Sequence, residues 1–417
     1  MSNDKGKGKS GRSSTALIAH GYRPPAGFAA VQPPVHKAST IVFANTAAMR
    51  ARDWKHKTGY TYGLHGTPTT FTLEERIATL EGGLQTVLAP SGLAAIALVG
   101  MALLKSGDEL LIPDNAYGPS KEFARHELAG WGVGHRFYDP MDPASLAAAI
   151  GARTRLVWIE VPGSVTMEFP ALDRLVAIAR AHGAAVALDN TWGAGLAFDP
   201  FAIGGDDGSE PAAVDISVQA LTKYPSGGAD VLMGSVTTRD EALHQRIKST
   251  HMRLGLGVGA NDVELVLRSL PSLPLRYEAQ ARAGRALAAW WAGRPEVVQV
   301  LHPALPGAPG HEHWARLCSD AAGLFSIVFD ERYPRARVDA FVDSLRLFKI
   351  GYSWAGPVSL VVPYELAAMR KAPRWRGMVV RFALGLEAVG DLIADCEQAL
   401  GALGQLDQLG QMPSESA

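Results

Sequence analysis

The sequence predicts an α/β protein: a large domain on a mostly parallel seven-stranded sheet, followed by a smaller C-terminal α+β domain. Three observations predict it. From Thr86 to Thr238, short apolar runs alternate with amphipathic stretches, the order that builds a parallel sheet covered on both faces. After Glu241 the pattern turns helical and then mixed. The chain has 417 residues, 47% apolar and only 19% charged, enough for two or three domains with a sizeable core.

Residues 1–14, rich in glycine, serine and lysine, read as a disordered tail, and 406–417 as a polar one. Residues 15–76 lack a clear period. Their prolines (Pro24, Pro25, Pro33, Pro34, Pro68) and aromatics (Tyr22, Phe43, Trp54, Tyr60, Tyr62) suggest an extended arm packed on a neighbouring subunit. Thr67-Pro68-Thr69-Thr70 then reads as a helix start.

The large domain is expected over 77–270. Its strand candidates are Thr86–Ala89, Glu109–Pro113, His135–Tyr138, Leu156–Val161, Ala184–Leu188, Ile216–Ala220 and Leu232–Thr237. Helical stretches lie near Leu93–Leu104, Ser120–Leu128, Pro143–Ile150 and Leu172–His182. The second domain is expected over 271–405. Pro271 and Pro274 mark a break, and a long helix follows around Arg276–Trp291. Strands at Gly323–Phe329 and Val379–Phe382 accompany helices at Ala336–Ser344 and Asp391–Leu400.

Forty Lys and Arg against 41 Asp and Glu leave a formal charge of -1, which favours neither nucleic acid nor an anionic membrane as partner. No apolar run approaches the ~18 residues of a membrane span, and no secretory h-region follows the first residues. Cys318 and Cys396 are too few for a disulfide framework or a cysteine zinc site, so a reducing, cytoplasmic setting and no metal are expected.

The chemistry gathers around Ser217–Tyr224, SVQALTKY. An apolar strand there ends in Thr222-Lys223-Tyr224 and breaks into the glycine-rich PSGGAD. A desolvated lysine has a lowered pKa and can form a Schiff base with an aldehyde, although a lysine at a strand end can also snorkel to solvent. Three other strand ends carry polar groups, each with an ordinary structural role when taken alone. Ser91-Gly92-Leu93 opens a helix, an arrangement that suits a phosphate. Tyr117 sits on a loop where it could stack on a flat ring. Asp189 ends an apolar strand and calls for a cationic partner such as a pyridinium, or caps the next turn. Phosphate turn, stacking aromatic, ring-nitrogen carboxylate and lysine together are the requirements of pyridoxal 5′-phosphate (PLP).

Two other motifs lack their context. Gly255-Leu256-Gly257-Val258-Gly259-Ala260 fits a dinucleotide fingerprint, but the preceding residues read as a helix instead of a strand. His311-Glu312-His313 follows a Pro/Gly-rich stretch and is expected in a surface loop, and Trp290-Trp291 in a core or interface.

With these residues in view, the sequence resembles the trans-sulfuration (Cys/Met metabolism) family of PLP-dependent enzymes, of fold type I, from about residue 15 to 405. The runs VPGSVTME at 161–168, Asp189-Asn190-Thr191-Trp192, Tyr352-Ser353-Trp354 and Leu384-Gly385-Leu386-Glu387 resemble its bacterial cystathionine β-lyase branch. The γ-acting branches usually carry Ser-Pro-Thr-Asn-Pro where this chain has VPGSVTME. The resemblance implies a carbon–sulfur β-lyase acting on an amino-acid thioether, L-cystathionine, in a homotetramer of dimers. It implies that Lys223 holds PLP and moves the proton, Asp189 pairs with the ring nitrogen and Tyr117 stacks and assists. It gives the phosphate to Ser91, Gly92, Leu93 and Thr222, with Tyr62 reaching the neighbouring subunit's cofactor. Arg381 is expected to hold the substrate carboxylate, with Tyr352, Ser353 and Trp354 lining the substrate side. One departure stands out: the family's Tyr-x-Arg reads Tyr62-Gly63-Leu64 here, and Leu64 cannot bind phosphate.

Overall fold

The computed structural model describes residues 14–18, 26–204, 211–370 and 372–409. All seven expected strands of the large sheet form: β1 (Gln85–Ala89), β2 (Glu109–Pro113), β3 (Gly134–Tyr138), β4 (Thr154–Glu160), β5 (Ala185–Asp189), β6 (Ile216–Ala220) and β7 (Gly234–Thr238). Their order is β1-β7-β6-β5-β4-β2-β3. β7 is antiparallel to both its neighbours, and every other pair is parallel.

The strands read as continuous apolar runs because both faces are covered. Val157 and Ile159 of β4 point into one core, with Leu73 and Ile77 of helix Pro68–Glu81 and Leu175 of helix Leu172–Ala181. Leu156 and Trp158 point into the other, with Leu98 and Val99 of helix Gly92–Leu103. Helix Pro68–Glu81 starts where the sequence signals it, with Thr67 and Thr70 in a reciprocal capping box, and it runs across the expected division at 76/77. After β2, helix Gly118–Phe123 continues into a wider π-type turn at Ala124–Leu128.

In the C-terminal region, a short turn at Leu270–Ser272 leads into helix Leu273–Ala292. This helix begins earlier than expected because Pro274 falls in its first turn, where a missing N–H costs nothing. A second sheet contains β8 (Val297–Leu301), β9 (Leu324–Phe329), β10 (Lys349–Ile350), β11 (Leu360–Tyr364) and β12 (Val379–Ala383), ordered β10-β11-β12-β9-β8. Pro363 hides β11 from the sequence. The structure tolerates it because β10 pairs only with Leu360 and Val361, leaving that side of Pro363 without a strand. Trp291 is fully buried here among Phe329, Phe341 and Phe382, while Trp290 packs against Arg294.

The glycine-rich 255–260 run follows helix Glu241–Leu254, with Gly255 as its left-handed cap, so no strand enters the fingerprint. The His311-Glu312-His313 run is not a loop: it opens a short helix, His311–Leu317, with His311 Nδ1 2.9 Å from the Pro303 carbonyl. The last helix, Val389–Leu409, extends beyond the expected end at Leu400 into the stretch read as a tail. Tyr22, Pro24, Pro25 and residues 1–13 and 410–417 lie outside the described residues. No described helix is long and apolar enough to cross a membrane.

Candidate active site

The carboxyl ends of β1, β2, β4, β5 and β6 open on one cavity of about 600 Å³. Every residue expected to hold cofactor or substrate lines it except Tyr62.

Lys223 lies in the turn after β6, its carbonyl accepting from the Gly227 amide at 2.9 Å. Its Nζ donates to Ser353 Oγ at 2.7 Å and stands 5.6 Å from the centre of the Trp354 ring. Burial, with Arg381 nearby, pushes the amine down to about 8, and Asp189 opposes the shift. Behind it Tyr224 is fully buried, accepts from the Gly323 amide at 2.8 Å and packs on Tyr277 and Trp354, coupling the β6 turn to the C-terminal region.

Asp189 ends β5. Its Oδ1 accepts from the Thr191 amide at 2.9 Å, and the Thr191 hydroxyl in turn accepts from the Ala220 amide at 2.9 Å. Burial raises the Asp189 carboxyl, against the Thr191 hydrogen bonds and the Lys223 charge. The two strands are also tied from behind. Glu81, wholly buried, accepts from Asn190 Nδ2 at 3.0 Å and from Ser217 Oγ and Gln219 Nε2.

Tyr117 caps helix Gly118–Phe123, and its amide donates to Glu160 Oε2 at 2.7 Å. Burial raises its phenol, helped by Asp189 and Glu160 and opposed by Arg381. Glu160 ends β4 and is itself buried, and desolvation next to Asp189 pushes its carboxyl well above the usual range. Sequence reasoning passed over Glu160, although the signal that singled out Asp189, a carboxylate ending an apolar strand, is present there too.

Ser91 is the N-cap of helix Gly92–Leu103, its Oγ accepting from the Ala94 amide at 3.0 Å. The amides of Gly92 and Leu93 precede the first intrahelical bond, from Ala95 to Ser91. A Cβ at Gly92 would stand 2.6 Å from that of Ala220, so only glycine lets this turn approach β6. The Thr222 hydroxyl already exchanges hydrogen bonds with the Met233 backbone, donating to its carbonyl at 3.2 Å and accepting from its amide at 3.1 Å.

Arg381 comes from the middle of β12. It is 8% exposed, its Nη2 donates to the Ser353 carbonyl at 3.4 Å, and its Nε has no hydrogen-bond partner among the described residues. The guanidinium lies 5.5 Å from the centre of the Tyr364 ring, a wall the sequence did not reveal. Tyr352 is 80% exposed at the edge of the cavity. Tyr62 is 46% exposed and sits edge-on to His65, whose Nδ1 is 2.7 Å from Thr61 Oγ1. Burial, then Lys248 and Arg52, lower the His65 imidazole. Leu64 packs beside Lys57, His244, Lys248 and His251 in a separate, small pocket.

The model of the Cys/Met metabolism PLP-dependent enzyme family matches residues 14–401. A putative cystathionine β-lyase of Rhizobium johnstonii is 40% identical over 89% of this chain and 91% of its own, and a cystathionine β-lyase of Bordetella avium is 38% identical over 91% and 94%. The fold is similar to the crystal structure of cystathionine γ-synthase from Xanthomonas oryzae pv. oryzae in complex with aminoacrylate and cysteine. That likeness has a TM-score of 0.82 and 30% identity, and covers 94% of this chain and 98% of that one. With its lysine, aspartate and arginine in one cavity and this match along almost its whole length, the chain belongs to the Cys/Met metabolism family of PLP-dependent enzymes.

Proposed function

We propose that this enzyme is a carbon–sulfur β-lyase that splits L-cystathionine into homocysteine, pyruvate and ammonia, in methionine synthesis in the cytoplasm. The observation that carries the reading is the Lys223 amine, lowered to about 8 and held 2.7 Å from Ser353, in one cavity with Asp189 and the buried Arg381.

The residues present fit PLP. Asp189 is a desolvated carboxylate with no ion pair among the described residues beyond the nearby Lys223, as a protonated ring nitrogen requires. The Gly92 turn has room for backbone but none for a Cβ, and its first amides face no carbonyl of their own helix. Lys223 would hold the cofactor, Asp189 its ring nitrogen, Tyr117 its ring face, and Ser91, Gly92, Leu93 and Thr222 its phosphate. Bound PLP would supply an electron sink for negative charge at the substrate Cα.

The chain's own groups do the rest. Arg381 takes the substrate carboxylate with its fork of donors, one of which has no other partner among the described residues. Tyr352, Ser353 and Trp354 line the substrate side. Ser353 holds the Lys223 amine in place, and a pKa of about 8 leaves a usable fraction of it unprotonated at neutral pH. That amine takes the Cα proton. The Cβ–S bond then breaks, its electron pair leaves on sulfur, and Lys223 or Tyr117 protonates the thiolate. Hydrolysis of the remaining three-carbon fragment gives pyruvate and ammonia.

A γ-acting reading draws support from the similarity to a cystathionine γ-synthase. The VPGSVTME run, Tyr352-Ser353-Trp354 and the names of the two relatives favour β-elimination. The purified PLP-loaded enzyme should release pyruvate and homocysteine in equal amounts from L-cystathionine. 2-Oxobutyrate and cysteine would move it to the γ-acting branch, and another cysteine S-conjugate cleaved much faster would change the substrate.

The assembly proposed is a homotetramer built from dimers, in which Tyr62 meets the neighbour's phosphate. Support comes from the arm, where Phe28, Val31 and Val42 are 68%, 83% and 90% exposed in the single chain. Sedimentation should give four times the 44.3 kDa chain mass; a monomer would overturn it.

A further inference from the structure

A buried ionic cluster stands beside the cavity, and none of the roles assigned above uses it. Arg370 follows the short helix Leu366–Met369 in the C-terminal region. Its side chain is 7% exposed. Its Nε and Nη2 reach the two carboxylate oxygens of Asp114 at 3.2 and 2.8 Å, a bidentate pair, and its Nη1 donates to Glu168 Oε2 at 2.6 Å. The same Glu168 oxygen accepts from Asn115 Nδ2 at 3.0 Å and Thr166 Oγ1 at 2.8 Å. Lys121, also buried, donates from one ammonium to the carbonyls of Asp114 at 2.9 Å and Met369 at 3.0 Å.

Each anchor of this cluster is a near neighbour of a cavity wall. Met369 precedes Arg370, Met167 precedes Glu168, and Tyr117 lies three residues after Asp114; all three walls line the cavity. The Glu168 loop is also held in an unfavourable shape, with Val165 and Met167 at φ 68° and 51°. Side chains at positive φ are strained and persist only where the surroundings over-determine them. A buried ion pair adds little net stability over an apolar replacement, so its value lies in fixing one geometry.

We propose that Arg370 is a positioning residue that locks the Tyr117, Met167 and Met369 walls into one substrate chamber, and so sets how tightly the enzyme grips the thioether part of its substrate. The inference rests on the cavity being the amino-acid thioether site proposed above. Arg381 and Lys223, which grip the common amino-acid end, are not part of the cluster.

The test uses the PLP-loaded enzyme and two probes, L-methionine and glycine, titrated by their effect on the cofactor's visible absorbance. In Arg370→Ala, L-methionine should bind about tenfold more weakly or worse, given that a misplacement near 1 Å can cost about 10²-fold. Glycine binding and cofactor content should not change, and Arg370→Lys should recover part of the loss. On L-cystathionine the KM should rise more than kcat falls. Because Arg370→Ala strands two carboxylates, the charge-balanced pair Arg370→Met with Glu168→Gln serves as control: its Tm should return toward the parent value while methionine binding stays weak. Equal loss for both probes, loss for neither, or full recovery of methionine binding in the balanced pair would overturn the proposal. Pyruvate release by the parent enzyme tests the β-lyase reading separately, since the binding ratio does not depend on which bond is cut.

Discussion

Glu160 and Asp189 stand directly opposite each other at the ends of the paired parallel strands β4 and β5. Two carboxylates so placed in a desolvated cavity raise each other's cost of ionisation, and the Glu160 carboxyl is pushed well above its usual range. The Tyr117 amide at 2.7 Å from Glu160 and the Thr191 amide at 2.9 Å from Asp189 offset part of that cost.

Asp189→Asn should separate stability from activity. The folded-state carboxyl is raised, so its ionised form costs stability as pH rises above the unfolded value of 3.8. Removing that charge should raise the Tm of the cofactor-free protein at pH 7. Turnover should fall by about 10²-fold or more, the scale of losing a group that holds a proton in the reaction. A lower Tm in differential scanning calorimetry would contradict this account of the site.

Lys223→Ala should abolish the cofactor's covalent attachment and reduce turnover by about 10²–10⁴-fold, the usual contribution of a positioned acid–base group. Mass spectrometry after borohydride reduction checks the first effect and a pyruvate assay the second. A reduced adduct retained in the variant would point to another lysine.

The reactivity of Lys223 in the cofactor-free protein should titrate near pH 8. Its pKa is lowered from 10.5, so the free amine appears as pH rises through about 8, well before that of an ordinary lysine. The rate of labelling by a small aldehyde, followed from pH 6 to 10, should show that midpoint. In Arg381→Gln the midpoint should move up, because the Arg381 charge is one of the causes that lower it.

Glu81→Ala should destabilise the fold by about 3 kcal/mol or more, since it strands three buried donors, on Asn190, Ser217 and Gln219, at roughly 1–3 kcal/mol each. Urea unfolding gives the figure. A loss below about 1 kcal/mol would mean the three donors find other acceptors.

The strand ends were legible in the sequence because chemistry there interrupts an apolar run. Lys223, Asp189 and the Ser91-Gly92-Leu93 turn all announce themselves this way. Glu160 carries the same signal, but it runs straight into the VPGSVTME stretch, with no glycine-rich break or helix start to set the strand end apart. Tyr364 and Met369 belong to a segment whose strand, β11, contains a proline and lacks a clean period. Arg370, Asp114 and Glu168 form their cluster across up to 256 residues of chain, and nothing in local spacing relates them. Glu81 ends helix Pro68–Glu81, and only the sheet's geometry turns it toward β5 and β6.

The placement of β7 between β1 and β6 has a bearing on how the chain reaches its native state. β1 can find its sheet partner only after residue 238 exists, since Gln85 pairs with Thr238. The gap is 238 − 85, or 153 residues, and at ~5–20 residues per second a ribosome takes on the order of ten seconds to cross it. Through that interval β1 waits without its sheet partner, and from the synthesis of β6 until that of β7 the β6 edge that leads to Lys223 is open to foreign strands. Closure by β7 is therefore a late, long-range event that assembles the Lys223 and Ser91-Gly92 ends of the cavity together. A nascent chain paused just short of Thr238 should accordingly be protease-sensitive and unable to capture PLP.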